Sequence, residues 1–198
     1  MIAIIDYDTG NLRSVMNALE RVGVEYVVTS NHEVLRAADK VIMPGVGEAS
    51  TAMEKLRERG LDTLVPSLTQ PVLGICIGMQ LMCESSEEGD AKCLGIFPTK
   101  VVKLPSELST VELLKVPHVG WDTIEGLKSP LFDGITESSH LYYVHSFAAE
   151  ICDNTIATTE YGVRFSASLH RDNFYGTQFH PEKSGAVGEA ILANFLKL

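Results

Sequence analysis

The decapeptide Pro71-Val72-Leu73-Gly74-Ile75-Cys76-Ile77-Gly78-Met79-Gln80 constrains the fold more than any other stretch of the chain. It reads as a short apolar strand, a sharp turn with Cys76 at its apex, and a helix beyond. Gly74 and Gly78 stand two residues either side of Cys76, in a Gly-x-Cys-x-Gly frame that is the thiol form of the nucleophile elbow. Strand and helix approach closely at such a turn, so the flanking residues must be small. The turn holds its nucleophile at the carboxyl end of a sheet, on strained backbone. A thiol there also meets a helix N-terminus, whose free N–H groups and dipole favour a thiolate.

A strand this apolar implies parallel neighbours, and the N-terminal half supplies them. Residues 2–5 form a continuous apolar run, the mark of a strand buried on both faces. Residues 6–10 read as a loop, and Asn11 is placed to cap a helix carrying Leu12, Val15, Met16, Leu19 and Val22, which stops at Gly23. Residues 24–28 read as a second strand, Ser30 or Asn31 opens a short helix, and residues 40–43 are a third strand. Pro44-Gly45-Val46-Gly47 breaks that strand; one helix follows through Met53 and Leu56 to Gly60, and another to about Thr69. This alternation predicts an α/β fold with a mostly parallel central sheet flanked by helices. Beyond Glu84 the texture changes. Residues 85–90 read as a solvated acidic loop rather than a binding site, and residues 141–148, 155–160, 163–169 and 174–179 as hairpin-connected strands. A final amphipathic helix carries Val187, Ile191, Leu192 and Phe195. With no internal repeat and no low-complexity linker, residues 1–198 are expected to form a single domain.

Charge narrows the function classes. A formal net charge of -10 argues against nucleic acid or an anionic membrane surface as a partner. The apolar N-terminus lacks a basic segment and is cut short by Asp6 and Asp8, so it does not read as a signal peptide. No apolar run approaches a membrane span, and the cytoplasm is the expected location. Cys76, Cys83, Cys93 and Cys152 form no CxxC pair. Neither disulfide staples, a metal site nor a cofactor is expected, and Cys83, Cys93 and Cys152 read as small core or surface residues.

A thiol used for acyl transfer needs a base, a group to orient it, and donors for an oxyanion. Of six histidines, His180 stands out, at a strand end in Phe179-His180-Pro181-Glu182-Lys183-Ser184. A residue before proline is pushed to extended backbone. Residues two apart in extended chain face the same side, so Glu182 can bond one ring nitrogen and leave the other for Cys76. Natural oxyanion donors are the N–H of Ile77 and the glycine-rich loop Pro44-Gly45-Val46-Gly47. That loop imitates part of a dinucleotide fingerprint, but Ser50 holds the third glycine position and the match follows the third strand. Nucleotide binding is therefore disfavoured.

The Gly-x-Cys-x-Gly-x-Gln and Phe-His-Pro-Glu motifs resemble class I, triad-type glutamine amidotransferases. End to end, the chain is similar to the glutaminase subunits of imidazole glycerol phosphate synthases. Further motifs carry this: Ile4-Ile5-Asp6-Tyr7, Gly10-Asn11-Leu12-Arg13-Ser14-Val15, Pro44-Gly45-Val46-Gly47, Pro117-His118-Val119-Gly120-Trp121 and Tyr142-Tyr143-Val144-His145-Ser146-Phe147. Asp8-Thr9 and residues 94–98 depart from the pattern, away from the triad. The resemblance implies a flavodoxin-like amidotransferase fold with added antiparallel strands in the C-terminal half. It implies that Cys76 attacks the side-chain amide of L-glutamine, with His180 as proton carrier and Glu182 orienting it. Val46, Gly47 and Ile77 would line the oxyanion hole; Gly45, Gln80, His145, Ser146 and Phe147 would contact substrate. The heterodimer partner it implies is a (β/α)8-barrel cyclase subunit, with Asn11, Arg13, Trp121 and Lys183 at the interface. It also implies a peptide at Val46 that can reorient when that partner is primed.

Plainer readings stand beside these. Gln80 can be a polar residue of the elbow helix, His145 a hydrogen-bonded core histidine, and Trp121 a core residue. A stand-alone thiol hydrolase would prefer γ-glutamyl peptides and need no partner. A non-catalytic module would have no use for all three triad residues, and the glutaminase of another synthase would differ only in its partner-facing motifs.

Overall fold

The computed structural model describes residues 1–8, 11–106 and 114–198; Thr9 and Gly10 of the expected first loop lie outside them. In chain order the elements are β1 (Ile2–Ile5), α1 (Leu12–Val22), β2 (Tyr26–Thr29), α2 (His32–Ala37), β3 (Lys40–Met43), α3 (Ala49–Glu58) and α4 (Leu61–Leu64). Next come β4 (Val72–Ile75), α5 (Ile77–Leu81), β5 (Ser85–Ser86), β6 (Ala91–Lys92), β7 (Lys100–Lys103) and β8 (His118–Thr123). The C-terminal part holds β9 (His140–His145), β10 (Phe147–Ala149), β11 (Thr155–Tyr161), β12 (Val163–Arg171), β13 (Phe174–Thr177) and α6 (Gly185–Lys197).

The central sheet runs β11-β12-β13-β4-β3-β1-β2. From β2 to β13 every pairing is parallel, and the stretch has the strand order of a flavodoxin-like sheet. β12 and β11 extend it antiparallel, as hairpins. The residues explain the order. All four residues of β1, β4 and β13 are buried, so each must have cover on both faces. A four-stranded sheet (β10-β7-β5-β6) and the β8-β9 ribbon flank this core.

Four expectations needed revision. Asn11 precedes α1 with left-handed backbone (φ 74°) instead of the extended backbone of a cap and makes no side-chain cap; its amide nitrogen donates to Glu182. The second strand starts at Tyr26, because the Val24 N–H is spent on the Leu19 carbonyl (3.1 Å) closing α1. Residues 141–148 form two strands: β9 pairs with β8 and β10 with β7, and the chain changes sheet at Ser146. Residues 85–90 are not simply a solvated loop. Ser85 and Ser86 form β5, and the Glu88 carboxylate turns inward to accept the Ala49 N–H (3.0 Å) at the start of α3. The short helix after Asn31 is as read, its side chain accepting from the N–H groups of Glu33 and Val34.

Candidate active site

β4 delivers Cys76 to the carboxyl edge of the sheet, and α5 leaves from the next residue. Cys76 holds φ 54° and ψ −110°, a combination that side chains avoid and that costs on the order of 1–3 kcal/mol. Packing enforces it. A Cβ on Gly78 would lie 1.9 Å from the Met43 carbonyl oxygen, and one on Gly74 would lie 2.7 Å from the Gly78 carbonyl carbon. Only glycines let α5 come down onto β3 and β4. The Cys76 N–H is tied to the Thr177 carbonyl of β13 (2.7 Å), and its sulfur receives the Gln178 amide at 3.7 Å.

His180 follows β13 and is pinned at both ends of its backbone. Its N–H donates to the Tyr142 carbonyl (2.9 Å), and its carbonyl accepts from Ser184 Oγ (2.6 Å). Nδ1 lies 2.7 Å from Glu182 Oε1, both side chains fully buried. A carboxylate only accepts, so Nδ1 carries a proton and Nε2 is the nitrogen left to exchange a proton with Cys76. Among the described residues Nε2 has no hydrogen-bond partner, which leaves it for the thiol. Burial opposes a charge on this ring, but Cys76 and Glu182 together outweigh it and raise its pKa to about 10. The expected geometry needs one correction. Residues Pro181–Lys183 form a 3-10 turn, so Glu182 reaches His180 around that turn and not by strand alternation. Glu182 Oε1 also accepts from Asn11 Nδ2 at 2.7 Å.

Cys76 and His180 share a cavity of about 260 Å³. Val46, Gly47, Ile77, Gln80, His145, Ser146 and Phe147 line it as well. Ile77 is the first residue of α5, so its N–H has no acceptor within the helix. Gly47 (φ 103°) lets the loop after β3 turn beside it. Gly45, expected to contact substrate, is in the same loop but does not line the cavity; it packs against α5, where a Cβ would come within 2.8 Å of the Gly78 nitrogen. Gln80 is buried; its amide donates to the Phe147 carbonyl (2.8 Å) and to Gln178 Oε1 (3.0 Å). Its own Oε1 is buried without a partner among the described residues. His145 is both a buried hydrogen-bonded histidine and a wall of the cavity. Its Nδ1 donates to the Phe147 carbonyl (2.8 Å), and burial pulls its pKa down to about 3, so the ring is neutral.

Sequence reasoning missed Glu88, Pro117 and Val144, which also line the cavity. Glu88 is the consequential one, a half-buried carboxylate whose pKa is raised chiefly by burial. Its neighbours there, Ala49 and Glu48, are distant in sequence, so no local pattern marked it. Of the residues nominated for a partner surface, Arg13, Lys183 and Trp121 are exposed, Trp121 at 55%. The core reading of Trp121 is therefore wrong. Its ring meets Tyr142 edge-on at 6.0 Å, and Lys183 Nζ lies 6.0 Å over that same tyrosine. Asn11 is half-buried, behind Glu182. Cys83, Cys93 and Cys152 are free thiols. Among the described residues no His, Cys, Asp and Glu cluster could hold a metal, and no helix is long and apolar enough to cross a membrane.

A model of the family described as glutamine amidotransferase class-I matches residues 3–198. Imidazole glycerol phosphate synthase subunit HisH of Bacteroides fragilis (strain ATCC 25285) is 57% identical, across 100% of this chain and 99% of its own. The protein of the same name from Shewanella sediminis is 47% identical, across 98% of this chain and 89% of its own. Among solved structures, a glutamine amidotransferase from Thermotoga maritima superposes with TM-score 0.67 at 13% identity, covering 99% of this chain and 82% of that one. At that identity the likeness speaks for the fold.

Proposed function

The chain belongs to the class-I glutamine amidotransferases, within them to the family of imidazole glycerol phosphate synthase HisH subunits, and from that premise we propose how its residues perform the family's reaction. The chain hydrolyses L-glutamine to L-glutamate and ammonia for histidine biosynthesis. Cys76 Sγ attacks the side-chain amide carbon, its proton held by His180 Nε2. The carbonyl electron pair moves onto oxygen, and the Ile77 N–H and the loop at Val46 and Gly47 hold that oxyanion. Each such donor is worth about 3 kcal/mol in the transition state. When the intermediate collapses, the C–N bond breaks and His180 returns its proton to the departing nitrogen, leaving a glutamyl thioester and free ammonia. Water then gives a proton to His180, attacks the thioester, and releases glutamate as the sulfur recovers its proton.

The observation that carries this reading is one cavity that holds a cysteine on strained elbow backbone and a histidine whose far nitrogen is fixed by a buried glutamate. The rest of the cavity suits the substrate's amino-acid end. Gln80 Oε1 and the Glu88 carboxylate are acceptors for an α-ammonium group, and His145, Ser146 and Phe147 shape the walls around it, with Gly45 packed against the start of α5 beneath them. The ammonia goes to a (β/α)8-barrel cyclase subunit, which makes imidazole glycerol phosphate and an aminoimidazole carboxamide ribotide. Arg13, Trp121 and Lys183 face that partner, and Asn11 links the same surface to Glu182. Residues 1–198 act as one amidotransferase domain, in the cytoplasm, where such a biosynthetic enzyme would work. The test is Cys76→Ala assayed with the cyclase. Glutamine-dependent product formation should vanish while synthesis from added ammonia persists; wild-type glutamine hydrolysis by the variant would remove the proposal.

A further inference from the structure

Behind the wall of the cavity lies a second histidine that the reaction above leaves without a task. His118 opens β8, is 3% exposed, and places Nδ1 3.1 Å from His145 Nε2. Hydrogen-bond accounting fixes the direction of that contact. The Phe147 carbonyl can only accept, so the single ring proton of neutral His145 is on Nδ1 and its Nε2 is a lone pair. His118 must therefore donate from Nδ1. Its other nitrogen, Nε2, lies 3.4 Å from the Asp122 carboxylate. Its ring is stacked between Tyr161, at 3.9 Å and 14°, and Tyr143, at 5.0 Å and 17°. Tyr143 is itself anchored to Thr159 (2.6 Å), and Tyr161 to the Lys115 carbonyl (2.7 Å). Such a clamp leaves His118 one orientation.

The contact continues toward the reacting centre. The Phe147 carbonyl that takes the His145 proton also takes the Gln80 amide; Gln80 reaches Gln178, and Gln178 reaches the Cys76 sulfur. We propose that His118 is a positioning residue for the glutamine cavity: by donating to His145 Nε2 it locks the Nδ1–H tautomer of His145, which fixes the Phe147 carbonyl and the Gln80 amide against which the substrate's amino-acid end rests. A neutral histidine in solution leans to the other tautomer. Without the His118 donor, His145 can move its proton to Nε2 and leave the Phe147 carbonyl held by Gln80 alone. Burial pulls the His118 pKa down and Asp122 opposes that; the 3.4 Å contact with Asp122 is an ion-pair contact outside hydrogen-bond geometry, so the proton of a neutral ring stays on Nδ1, where the 3.1 Å contact with His145 uses it.

This inference rests on the glutaminase reading, and its test separates the two. Ring-nitrogen NMR of the wild-type protein should find the His145 proton on Nδ1. In complex with the cyclase, His118→Phe keeps the stacking but no donor. It should raise KM for glutamine about tenfold, the size of one buried hydrogen bond, with kcat within about twofold. His118→Asn, whose amide can donate from near the Nδ1 position, should bring KM back to within about twofold of wild type. A wild-type His145 proton on Nε2, or an unchanged KM in His118→Phe, overturns the inference. If His118→Phe does not fold, the wild-type spectrum and His118→Asn decide it. Failure of the glutaminase reading would look different, as a wild-type complex that does not turn over glutamine.

Discussion

Glu88 shows how far a residue's task can be from its local sequence. Inside an acidic run it looks like solvated surface, yet its carboxylate accepts the first N–H of α3 and lines the cavity. If it receives the substrate's α-ammonium, Glu88→Gln should raise KM for glutamine by roughly ten- to a hundredfold, the range for a charge-assisted hydrogen bond, with little change in kcat. Steady-state kinetics of the complex check this, and a change confined to kcat would contradict it. His145 supports a pH prediction. Its pKa falls from 6.5 in an unfolded chain to about 3 in the fold, so only the unfolded state takes up a proton between those values. Its contribution to stability is therefore present above about pH 6.5 and is lost as pH falls toward 3. Midpoints of thermal unfolding across that window should fall less steeply in His145→Gln than in wild type; parallel slopes would contradict the assignment. His180 is the opposite case. Its raised pKa contributes stability below pH 6.5 that is lost as pH rises through about 10.

At the scale of elements, legibility followed burial. β1 and β3 were placed to the residue, because a strand covered on both faces shows as an unbroken apolar run bounded by polar or breaking residues. The elbow was legible for the same reason, with glycines added where two backbones meet. β8 was not legible. Val119 and Trp121 are 54% and 55% exposed while His118 is buried, so its apolar residues face outward and a reading that equates apolar with buried inverts it. The break at Ser146 was invisible too, since pairing with two different sheets is decided by strands far away in sequence. The triad fell between these cases. The motif around His180 identified the pair, but the turn through Pro181–Lys183, not strand alternation, brings Glu182 to the ring. The elbow itself makes a hard prediction. Gly78→Ala puts a carbon 1.9 Å from the Met43 carbonyl oxygen, and backbone cannot yield as a flexible side chain does. It should cost more than about 3 kcal/mol, the range of severe overpacking and strain. Denaturant unfolding measures it, and a loss under about 1 kcal/mol would mean that α5 does not approach β3 this closely.

Across the whole molecule, the candidate site and the surface proposed for the partner share one end of the sheet. Exposed Trp121 and half-buried Tyr142 of the ribbon, with exposed Lys183 of the turn after His180, form an aromatic and basic cluster on the face opposite His118 and His145. Asn11 ties the start of α1 to Glu182, so a partner that engages this end touches groups bonded to the triad. On the function proposed above, that cluster is where the partner subunit would dock. All of this depends on Cys76 forming a covalent intermediate. The direct measurement is mass spectrometry of the acid-quenched complex during glutamine turnover, with peptides resolved around each cysteine. The glutamyl adduct should appear on the peptide carrying Cys76 and be absent in Cys76→Ala. Turnover with no adduct there, or with one on Cys83, Cys93 or Cys152 instead, would contradict the account.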